Sequence, residues 1–362
     1  MRVLYDGVAF QNAHQRGVQR VFRELIGRLP RDVEATLALT GPVRSELPTG
    51  ARVIRAGVPM AGLLPRRLRS MVQARLAPIG LGRAAASCDV FHSTYYTLPP
   101  RGMPSVVHVH DMIVERFVDL FQGKWLAEEI ERKRASIEAA TRVIAVSNAT
   151  ARELSHFYPA VRERITTVHL AGGHVARGGA AEPVRSREPF AMYVGDRGLY
   201  KNFQVVLDAM ESERWPAEVG LTVVGPPWKA NEAIRVERLG RSRRVVHGGR
   251  VSDDELGRLY RTAACVVVPS VVEGFGLPLL EAQQAGAPLV CSDIEVFREV
   301  AGEGALYFDP HRPDQLAERI GAAMDSGMRD RLSESGARNQ ARFSWDRAAT
   351  ETVEVYRAAC QT

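Results

Sequence analysis

The chain has 362 residues, of which 45% are hydrophobic and 25% charged, and its formal net charge is +6 at pH 7. This composition is ordinary for a globular protein, and the length suffices for two domains. The unbroken apolar runs are far shorter than the ~20 residues of a transmembrane helix, and the four cysteines lack the clustering of a zinc site. We therefore expect a cytoplasmic protein whose basic balance favours an anionic partner: a nucleotide, a nucleic acid or an acidic membrane surface.

Short β-rich runs alternate with helical patterns in the first half of the chain. The runs are RVLYD, ATLALT, DVFHS, PSVVHVHD, RVIAVS and ITTVHL, and helical patterns such as VQRVFRELIGRL and TARELSHFY lie between them. Such alternation is typical of βαβ units around a parallel sheet. We predict a Rossmann-like domain over residues 1–171.

A strongly basic segment interrupts this half. From Leu47 to Cys88 there is no Asp or Glu, but there are seven arginines: Arg52, Arg55, Arg66, Arg67, Arg69, Arg75 and Arg83. Apolar residues recur among them with helical spacing, which is typical of a basic amphipathic helix lying on an anionic membrane. We predict that residues 62–83 bind the inner membrane face. The pattern also fits a helix packed into the N-terminal core, or a basic patch that binds an anionic acceptor.

Residues 172–189 are rich in Gly, Ala and Pro and have no apolar period, so we predict a linker there. The alternation then restarts with FAMYVG, GLTVVG, RVVHGG, ACVVVPS, PLVCSD and ALYFDP, which predicts a second Rossmann-like domain over 190–345. The amphipathic tail from about 346 to 362 is expected to be a helix that packs back on the first domain. The predicted fold class is α/β, with two doubly wound domains facing a central cleft.

The stretch VVPSVVEGFGLPLLEAQQAGAPLV, residues 267–290, holds two carboxylates around a turn. Glu273 precedes Gly274 and Gly276, and Glu281 lies one turn into the next predicted helix. Glycines allow close approach of the backbone to a ligand, and amides at a helix N-terminus bind phosphate. Because carboxylates accept hydrogen bonds from vicinal hydroxyls, the unit could hold a phosphate and two sets of sugar hydroxyls. The alternative is a helix N-terminal cap and a solvated helix position.

This stretch resembles the retaining glycosyltransferases of family 4, which have the GT-B fold and grip a nucleotide-sugar donor with a Glu-x7-Glu element. Further segments follow in the order of that family: RGVQRVFREL, VHVHD, VIAVSNATARELSHFY, YVGDRGLYKNFQVVLDAM, GRVSDDELGRLYRTAACVVVPS and REVAGEGALYFDP. The resemblance implies two Rossmann-like domains, with the donor bound by the second and the acceptor on the side of the first. Nucleic acid is then not an expected partner.

The resemblance also implies roles for single residues in the second half. Glu281 would bind the ribose hydroxyls, and Glu273 would contact the transferred sugar and take part in catalysis. Arg197 and Lys201 would contact the donor diphosphate in place of a metal ion, whereas the sequence alone also allows a solvated basic loop. The other implied contacts are the sugar at Gly274 and Phe275, the diphosphate at Gly276 and Leu277, and the base at Arg250 and Val251.

In the first half, His110 ends a predicted strand and matches the family histidine that hydrogen-bonds the donor sugar, which makes it a predicted catalytic residue. The residues alone leave two other interpretations open. His108 and His110 alternate on one strand face and could bind a metal with a third ligand, or they could be ordinary core histidines. Gly17 matches the glycine loop under the diphosphate, although this chain has Arg16 where the family often has a second glycine.

The resemblance predicts a metal-independent hexosyltransferase of polysaccharide or glycoconjugate synthesis that retains the anomeric configuration through front-face attack. No cofactor is expected. GDP-mannose is the first expected donor, because GVQRVFREL resembles bacterial mannosyltransferases, and UDP- and dTDP-sugars are the alternatives. The expected acceptor is a glycan or a lipid-linked molecule. A nucleotide-sugar epimerase of GT-B fold and a non-catalytic nucleotide-sugar-binding protein are the competing hypotheses.

Overall fold

The computed structural model describes residues 1–12, 16–56, 80–118, 124–173, 188–240 and 243–362. They form an N-terminal unit, Met1–Leu170 with Trp345–Thr362, and a C-terminal unit, Ala171–Ser344. Most of the predicted linker, 172–189, and most of the predicted membrane segment, 62–83, lie outside the described residues. Within the described ranges, no helix combines the length and apolar character that crossing a bilayer requires.

The described part of the N-terminal unit contains seven strands: β1 (Arg2–Tyr5), β2 (Glu34–Leu39), β3 (Ala51–Arg55), β4 (Val90–Ser93), β5 (Ser105–Val109), β6 (Arg142–Ala145) and β7 (Ile165–Thr167). They form one parallel sheet in the order β3-β2-β1-β4-β5-β6-β7. The order reverses between β1 and β4. Asp6, which follows β1, is buried there and accepts hydrogen bonds from the Thr94 amide (3.0 Å) and the Ser93 hydroxyl (3.1 Å).

Helices alternate with these strands: α1 (Val8–Gln11), α2 (Arg16–Ile26), α3 (Ile113–Arg116), α4 (Lys124–Ala139) and α5 (Asn148–Phe157). Helix α2 buries Val21, Phe22, Leu25 and Ile26, whose spacing places them on one helical face. Helix α5 begins after Ser147, whose hydroxyl accepts a hydrogen bond of 3.0 Å from the Thr150 amide. Such a cap satisfies one of the unpaired donors at a helix start.

The described part of the C-terminal unit contains six strands: β8 (Glu188–Val194), β9 (Gly220–Val224), β10 (Val245–Gly249), β11 (Ala263–Val268), β12 (Leu289–Ser292) and β13 (Leu306–Phe308). They form a second parallel sheet in the order β10-β9-β8-β11-β12-β13. Its order reverses between β8 and β11. Ligands bind at such a switch point, at the carboxyl ends of the strands.

Seven helices accompany this sheet in the described ranges: α6 (Phe203–Glu211), α7 (Ala230–Leu239), α8 (Asp253–Thr262), α9 (Leu277–Gln284), α10 (Glu295–Ala301), α11 (Pro313–Met324) and α12 (Ser326–Gln340). The core between the sheet and α6, α7 and α11 includes Trp215, whose indole N–H donates to the Val219 carbonyl over 2.7 Å. Burying this ring with its polar group satisfied avoids a desolvation penalty.

The chain ends in helix α13 (Trp345–Cys360), which packs on α2 and on β4, β5 and β6 of the N-terminal unit. Its buried face includes Ala349, Thr352, Val353 and Tyr356 at helical spacing. The opposite face carries exposed charges, as expected for a helix covering a sheet.

The two parallel α/β sheets confirm the predicted fold class. Strand β3 was not predicted, because it lies at the sheet edge with Arg52 and Val53 exposed and so lacks the apolar run of a buried strand. Strand β8 begins at Glu188, inside the predicted linker. Its first two residues, Glu188 and Pro189, are exposed and do not continue the apolar run, which is why the sequence placed the boundary later.

Two buried histidines lie side by side in the N-terminal sheet. His92 in β4 and His108 in β5 stack with ring centroids 4.9 Å apart. Burial lowers the pKa of His92 to about 3, with a smaller effect of His110. Burial, followed by the neighbouring rings of His92 and His110, also holds the pKa of His108 well below its usual range. Both rings are therefore neutral in the folded protein near pH 7.

We predict that the N-terminal unit loses stability as the pH falls below about 6.5. Unfolded histidines bind protons in that range, whereas the folded His92 and His108 do not, so acid favours the unfolded state. Each histidine should lower the free energy of unfolding by about 1.4 kcal/mol per pH unit between its two pKa values. Thermal melts between pH 8 and pH 5 measure this. A control variant at the exposed His311, His311→Gln, should keep the same slope, and a midpoint that stays constant down to pH 5 would contradict the prediction.

Candidate functional site

The C-terminal unit brings two loops together where its strand order reverses. Strands β8 and β11 are parallel neighbours, so the loops that follow them, 195–202 and 269–276, leave the same edge of the sheet. The Val271 amide in the second loop donates a hydrogen bond of 2.9 Å to the Tyr200 carbonyl in the first. A backbone hydrogen bond therefore joins the two loops independently of their side chains.

An ion pair lies across these loops. Lys201 Nζ is 2.5 Å from Glu273 Oε1, and the Ser270 hydroxyl donates to the same oxygen over 2.9 Å. The two charged side chains are 24% and 13% exposed, so a ligand can reach them. Burial disfavours the charged ammonium, but the charge and hydrogen bond of Glu273 outweigh it and the pKa of Lys201 is raised. Lys201 is a fixed positive charge beside an oriented carboxylate.

Helix α9 starts at the end of the second loop. Gly276 caps it with φ +92°, and a Cβ at this position would lie 2.9 Å from side-chain atoms of Leu279 and Phe297. Both the backbone angle and the packing therefore require glycine. Pro278 has no N–H to lose in this first turn, and the Leu277 amide belongs to a helix N-terminus, which favours phosphate.

Glu281 lies within α9 and is 5% exposed. The Tyr260 hydroxyl, from α8, donates a hydrogen bond of 2.8 Å to its Oε2. Glu281 is therefore an oriented, buried carboxylate and not the solvated helix position that the sequence left open. Its predicted contact with the ribose stays a prediction.

Gly274 and Phe275 complete the second loop. The Phe275 side chain is buried and meets the Phe343 ring edge-on, with centroids 5.8 Å apart. The side chain therefore anchors the loop in the C-terminal unit. The backbone is the part of Phe275 that can serve the predicted sugar contact.

Arg197 is placed differently from its predicted partner Lys201. Its side chain is 1% exposed, and Nε lies 2.8 Å from Oε2 of Glu232 in α7, which is also 1% exposed. Nη2 donates to the carbonyls of Pro226 (2.9 Å) and Pro227 (2.6 Å). The structure does not bring Arg197 and Lys201 together as two accessible cations. The guanidinium instead ties the loop after β8 to the loop after β9, and its contact with the diphosphate stays a prediction.

Arg250 and Val251 follow β10 directly, after Gly249 with φ +65°. Because β10 runs parallel to β9, these residues lie at the same edge of the sheet as Lys201 and Glu273. Arg250 is exposed and Val251 partly buried. This position is compatible with their predicted contact with the base.

In the N-terminal unit, His110 follows β5. Its ring stacks on His108 with centroids 5.8 Å apart and meets Phe22 of α2 edge-on at 6.3 Å. Its Nε2 is buried and has no hydrogen-bond partner in the described ranges. Burial lowers the pKa of His110 to about 4, an effect that Asp111 opposes and Lys133 strengthens. His110 is thus neutral near pH 7, with an uncommitted ring nitrogen.

A buried ion pair supports the chain just beyond His110. Lys133 Nζ lies 2.8 Å from Glu115 Oε2 and donates to the Asp111 carbonyl over 2.7 Å. The Tyr158 hydroxyl donates to Glu115 over 3.2 Å. These contacts fix the backbone that presents His110.

Gly17 lies exposed in the first turn of α2, and a Cβ there would have no atom of the described residues within 4 Å. The described surroundings of Gly17 thus leave room for a side chain, unlike those of Gly276. The preceding residues, 13–15, are outside the described ranges, and the predicted contact of Gly17 with the diphosphate stays a prediction.

Four further residues, none of them predicted from the sequence, orient this site. Ser270 and Tyr260 hold the two glutamates, while Glu232 and Trp228 hold Arg197, whose guanidinium carbon lies 4.8 Å from the Trp228 ring centroid. Ser270 could have been found from its position at a strand end, three residues before Glu273. Glu232 carried no signal, because it is 35 residues from Arg197 in sequence.

We predict that Gly276→Ala lowers the free energy of unfolding by about 2–4 kcal/mol, because it adds a steric clash to an unfavourable φ. Gly50→Ala is the matched control: Gly50 has φ +82°, but a Cβ there meets no atom within 4 Å in the part of the chain that the structure describes. It should cost only about 1–2 kcal/mol from the backbone angle. Urea unfolding of the two variants measures the difference, and equal losses would show that the contacts with Leu279 and Phe297 do not matter.

Two family models match the chain in tandem. The model described as Glycosyltransferase Family 4 matches residues 15–171, and the model described as Glycosyl transferases group 1 matches residues 180–339. The O-antigen chain mannosyltransferase B of Escherichia coli is 28% identical over 286 residues, which cover 74% of either chain. The MMP alpha-(1->4)-mannosyltransferase of Mycolicibacterium hassiacum is 30% identical over 278 residues, which cover 71% of this chain and 66% of the relative.

Solved structures show the same fold. WaaG, a glycosyltransferase involved in lipopolysaccharide biosynthesis, is similar with a TM-score of 0.74 at 14% identity, over 98% of this chain and 99% of WaaG. The Anabaena protein HepE in complex with UDP-glucose is similar with a TM-score of 0.72 at 16% identity, over 99% of this chain and 100% of HepE. The two family models together span most of the chain. The chain therefore belongs to glycosyltransferase family 4, whose members transfer a sugar from a nucleotide-sugar donor.

Proposed function

We propose that this glycosyltransferase is a retaining, metal-independent hexosyltransferase and that its donor is GDP-mannose. The observation that carries the proposal is the Lys201–Glu273 ion pair at the switch point of the C-terminal unit, with Ser270 on the same carboxylate. It offers a positive charge and an oriented acceptor at the edge where nucleotides bind in this fold class. Sugar transfer needs both groups: the positive charge stabilises the leaving diphosphate, and the carboxylate accepts hydrogen bonds from sugar hydroxyls.

Lys201 is proposed to bind the donor diphosphate. In the free protein its charge is compensated by Glu273, and the phosphates of a bound donor supply a second, stronger partner. The amides at Gly276 and Leu277 add hydrogen bonds from the start of α9. Negative charge on the leaving phosphate grows as the glycosidic bond breaks, so these contacts strengthen in the transition state and accelerate the reaction.

The two carboxylates, Glu273 and Glu281, are proposed to contact different parts of the donor. Glu273, held by Ser270, is proposed to accept hydrogen bonds from the transferred sugar, together with the backbone at Gly274 and Phe275. Glu281 is proposed to accept from the ribose hydroxyls. Because Tyr260 already orients Glu281, little side-chain entropy is lost when the ribose binds.

The base completes the donor contacts at the same sheet edge. Arg250 and Val251, which directly follow β10, are proposed to contact it. Gly17 is proposed to contact the diphosphate.

Arg197 is proposed to position the loop that carries Lys201. A guanidinium that is 1% exposed and paired with Glu232 contributes rigidity to that loop. Removing either partner would leave an uncompensated buried charge, which is strongly destabilising.

His110 is proposed to hydrogen-bond the transferred sugar near the anomeric carbon. Its lowered pKa keeps it neutral, so it orients the sugar without repelling a developing positive charge. In the proposed front-face reaction, the acceptor oxygen forms the new bond to the anomeric carbon as the bond to the phosphate breaks. The acceptor proton passes to the leaving phosphate.

Mannose is favoured because both relatives described above are named mannosyltransferases, at 28% and 30% identity. UDP-glucose is the principal alternative, because the structurally similar HepE binds it.

We propose a glycan or lipid-linked acceptor on the N-terminal unit, where a cavity of about 1120 Å³ is lined largely by apolar side chains, including Tyr95, Leu98 and Met103. The basic segment 62–83 is proposed to hold the enzyme at an anionic inner membrane face.

The proposed function is tested with GDP-mannose, UDP-glucose and dTDP-glucose, each with and without EDTA. Released nucleoside diphosphate is measured, and proton NMR reports the anomeric configuration of the product. We expect release of GDP that survives EDTA, and an α-linked product from the α-linked donor. Loss in EDTA that magnesium or manganese restores would reject metal independence. An isomerised nucleotide-sugar would indicate the epimerase, and binding without turnover would indicate a sensor.

We predict that Lys201→Ala lowers kcat/KM for the donor about 10-fold to 100-fold, because a charge-assisted contact contributes about 1.5–3 kcal/mol. Glu273→Ala should lower kcat, whereas Glu281→Ala should chiefly raise the donor KM. The control is Arg214→Ala, which removes an exposed cation paired with Glu318 in the same unit and should leave the kinetics within about twofold. Wild-type kinetics for Lys201→Ala would overturn the diphosphate assignment.

A further inference from the structure

A large cavity in the N-terminal unit lies on both sides of β4 in sequence. Its volume is about 1120 Å³, and most of its lining comes from the segments 81–89 and 95–104, with Leu81, Pro99 and Met103 among the apolar side chains. Pockets for drug-sized molecules have volumes of about 300–1,000 Å³. The cavity is therefore large enough for a substantial part of a substrate.

Tyr96 connects the wall of this cavity to the segment that carries His110. Its backbone has φ +50°, a left-handed conformation that is uncommon for a bulky residue, and its side chain is buried. Burial holds the pKa of Tyr96 well above its usual range, an effect that a hydrogen bond with the His110 backbone opposes. Strained conformations of this kind cluster at ligand sites. The cavity thus adjoins the predicted catalytic histidine within one unit.

Most polar side chains of the lining already have partners in the protein. The Tyr95 hydroxyl donates to Glu129 Oε1 over 2.8 Å, and the Arg132 guanidinium pairs with the same carboxylate. Asp89 accepts a hydrogen bond of 2.7 Å from the Arg2 amide. A sugar chain would leave many of its hydroxyls without partners here, which is costly, whereas an apolar chain would gain from burial.

The charges of the lining favour an anion beside that apolar chain. Arg101 and Arg132 both line the cavity and are exposed. Asp89 is the acidic residue of the described lining, and Arg2 offsets it with Nη2 3.6 Å from Oδ1. Guanidinium groups bind phosphate and carboxylate well. The chemistry of the cavity therefore matches a molecule with an apolar chain and an anionic group.

We infer that this cavity holds the apolar chain of the acceptor, with an anionic group of the acceptor at Arg101 and Arg132. The acceptor is then a lipid-linked anion and not a free glycan. Because Tyr96 joins the cavity wall to the His110 segment, a chain bound here keeps the attached sugar on the side that carries His110. Only the assignment of this chain to the acceptor rests on the proposed function.

Binding of an alkyl probe to the full chain tests the cavity without any donor. The probe is dansyl-undecanoic acid, a fluorescent apolar chain with an anionic end. Dodecyl phosphate should displace it, whereas inorganic phosphate and mannotriose at the same concentration should not. Displacement by either of these small competitors, or no binding of the probe, would overturn the inference.

Leu98→Asp and Phe157→Asp form a matched pair of variants. Both place a carboxylate at an apolar position of the N-terminal unit, 57% and 36% exposed, but only Leu98 lines the cavity. Leu98→Asp should weaken probe binding about tenfold or more, because a charge beside an apolar chain is costly. Phe157→Asp should stay within about twofold of wild type, as expected for a separate site. Equal weakening in both variants would show non-specific binding and overturn the inference.

Methyl, butyl and octyl α-mannosides, used as acceptors below their micellar concentrations, test whether the chain belongs to the acceptor. The acceptor KM should fall about threefold for each methylene that enters the cavity, at unchanged donor KM. An acceptor KM that is independent of chain length, with the probe still bound, would assign the cavity to another lipid and overturn the inference. If no alkyl mannoside is glycosylated, the proposed function fails with these acceptors, while probe binding and the two variants still decide whether the cavity takes an apolar chain.

Discussion

The Lys201–Glu273 ion pair is the interaction on which the candidate site depends. Its partners are 72 residues apart in sequence, yet they meet because β8 and β11 are neighbours at the reversal of strand order. Ser270 holds the carboxylate, and the hydrogen bond between Val271 and Tyr200 holds the two loops. A charge that is already oriented costs little reorganisation during the reaction, which is the main way in which enzymes stabilise developing charge.

The two units differ in how they treat ionisable side chains. In the C-terminal unit, the partly exposed Lys201 stays charged because the charge of Glu273 outweighs the effect of burial on its pKa. In the N-terminal unit, burial keeps three histidine rings neutral and depresses their pKa values. In the same interior, His92 is hydrogen-bonded to Tyr356 and to His108. The stability of the N-terminal unit and the protonation of His110 are thus linked.

The fold was predictable because it depends on local periodicity. Buried parallel strands have continuous apolar runs, and helices have apolar residues at a period of 3.6. The Glu273–Glu281 pair was predictable for the same reason, since both residues belong to one strand–turn–helix segment. Arg197 was not, because the direction of its side chain depends on Glu232, and no local pattern reports a buried partner on another helix. The hydrogen bonds of Tyr356 were not predictable either, because its partners His92 and Tyr5 lie 264 and 351 residues away in sequence.

The most direct test of the central claim is a crystal structure of the full chain with a bound nucleoside diphosphate. We expect phosphate oxygens within hydrogen-bonding distance of Lys201 Nζ and of the amides that start α9, with the ribose on Glu281. Glu273 should keep its Ser270 hydrogen bond while it shares Lys201 with the phosphates. A nucleotide bound elsewhere, with the Lys201–Glu273 pair untouched, would contradict the account.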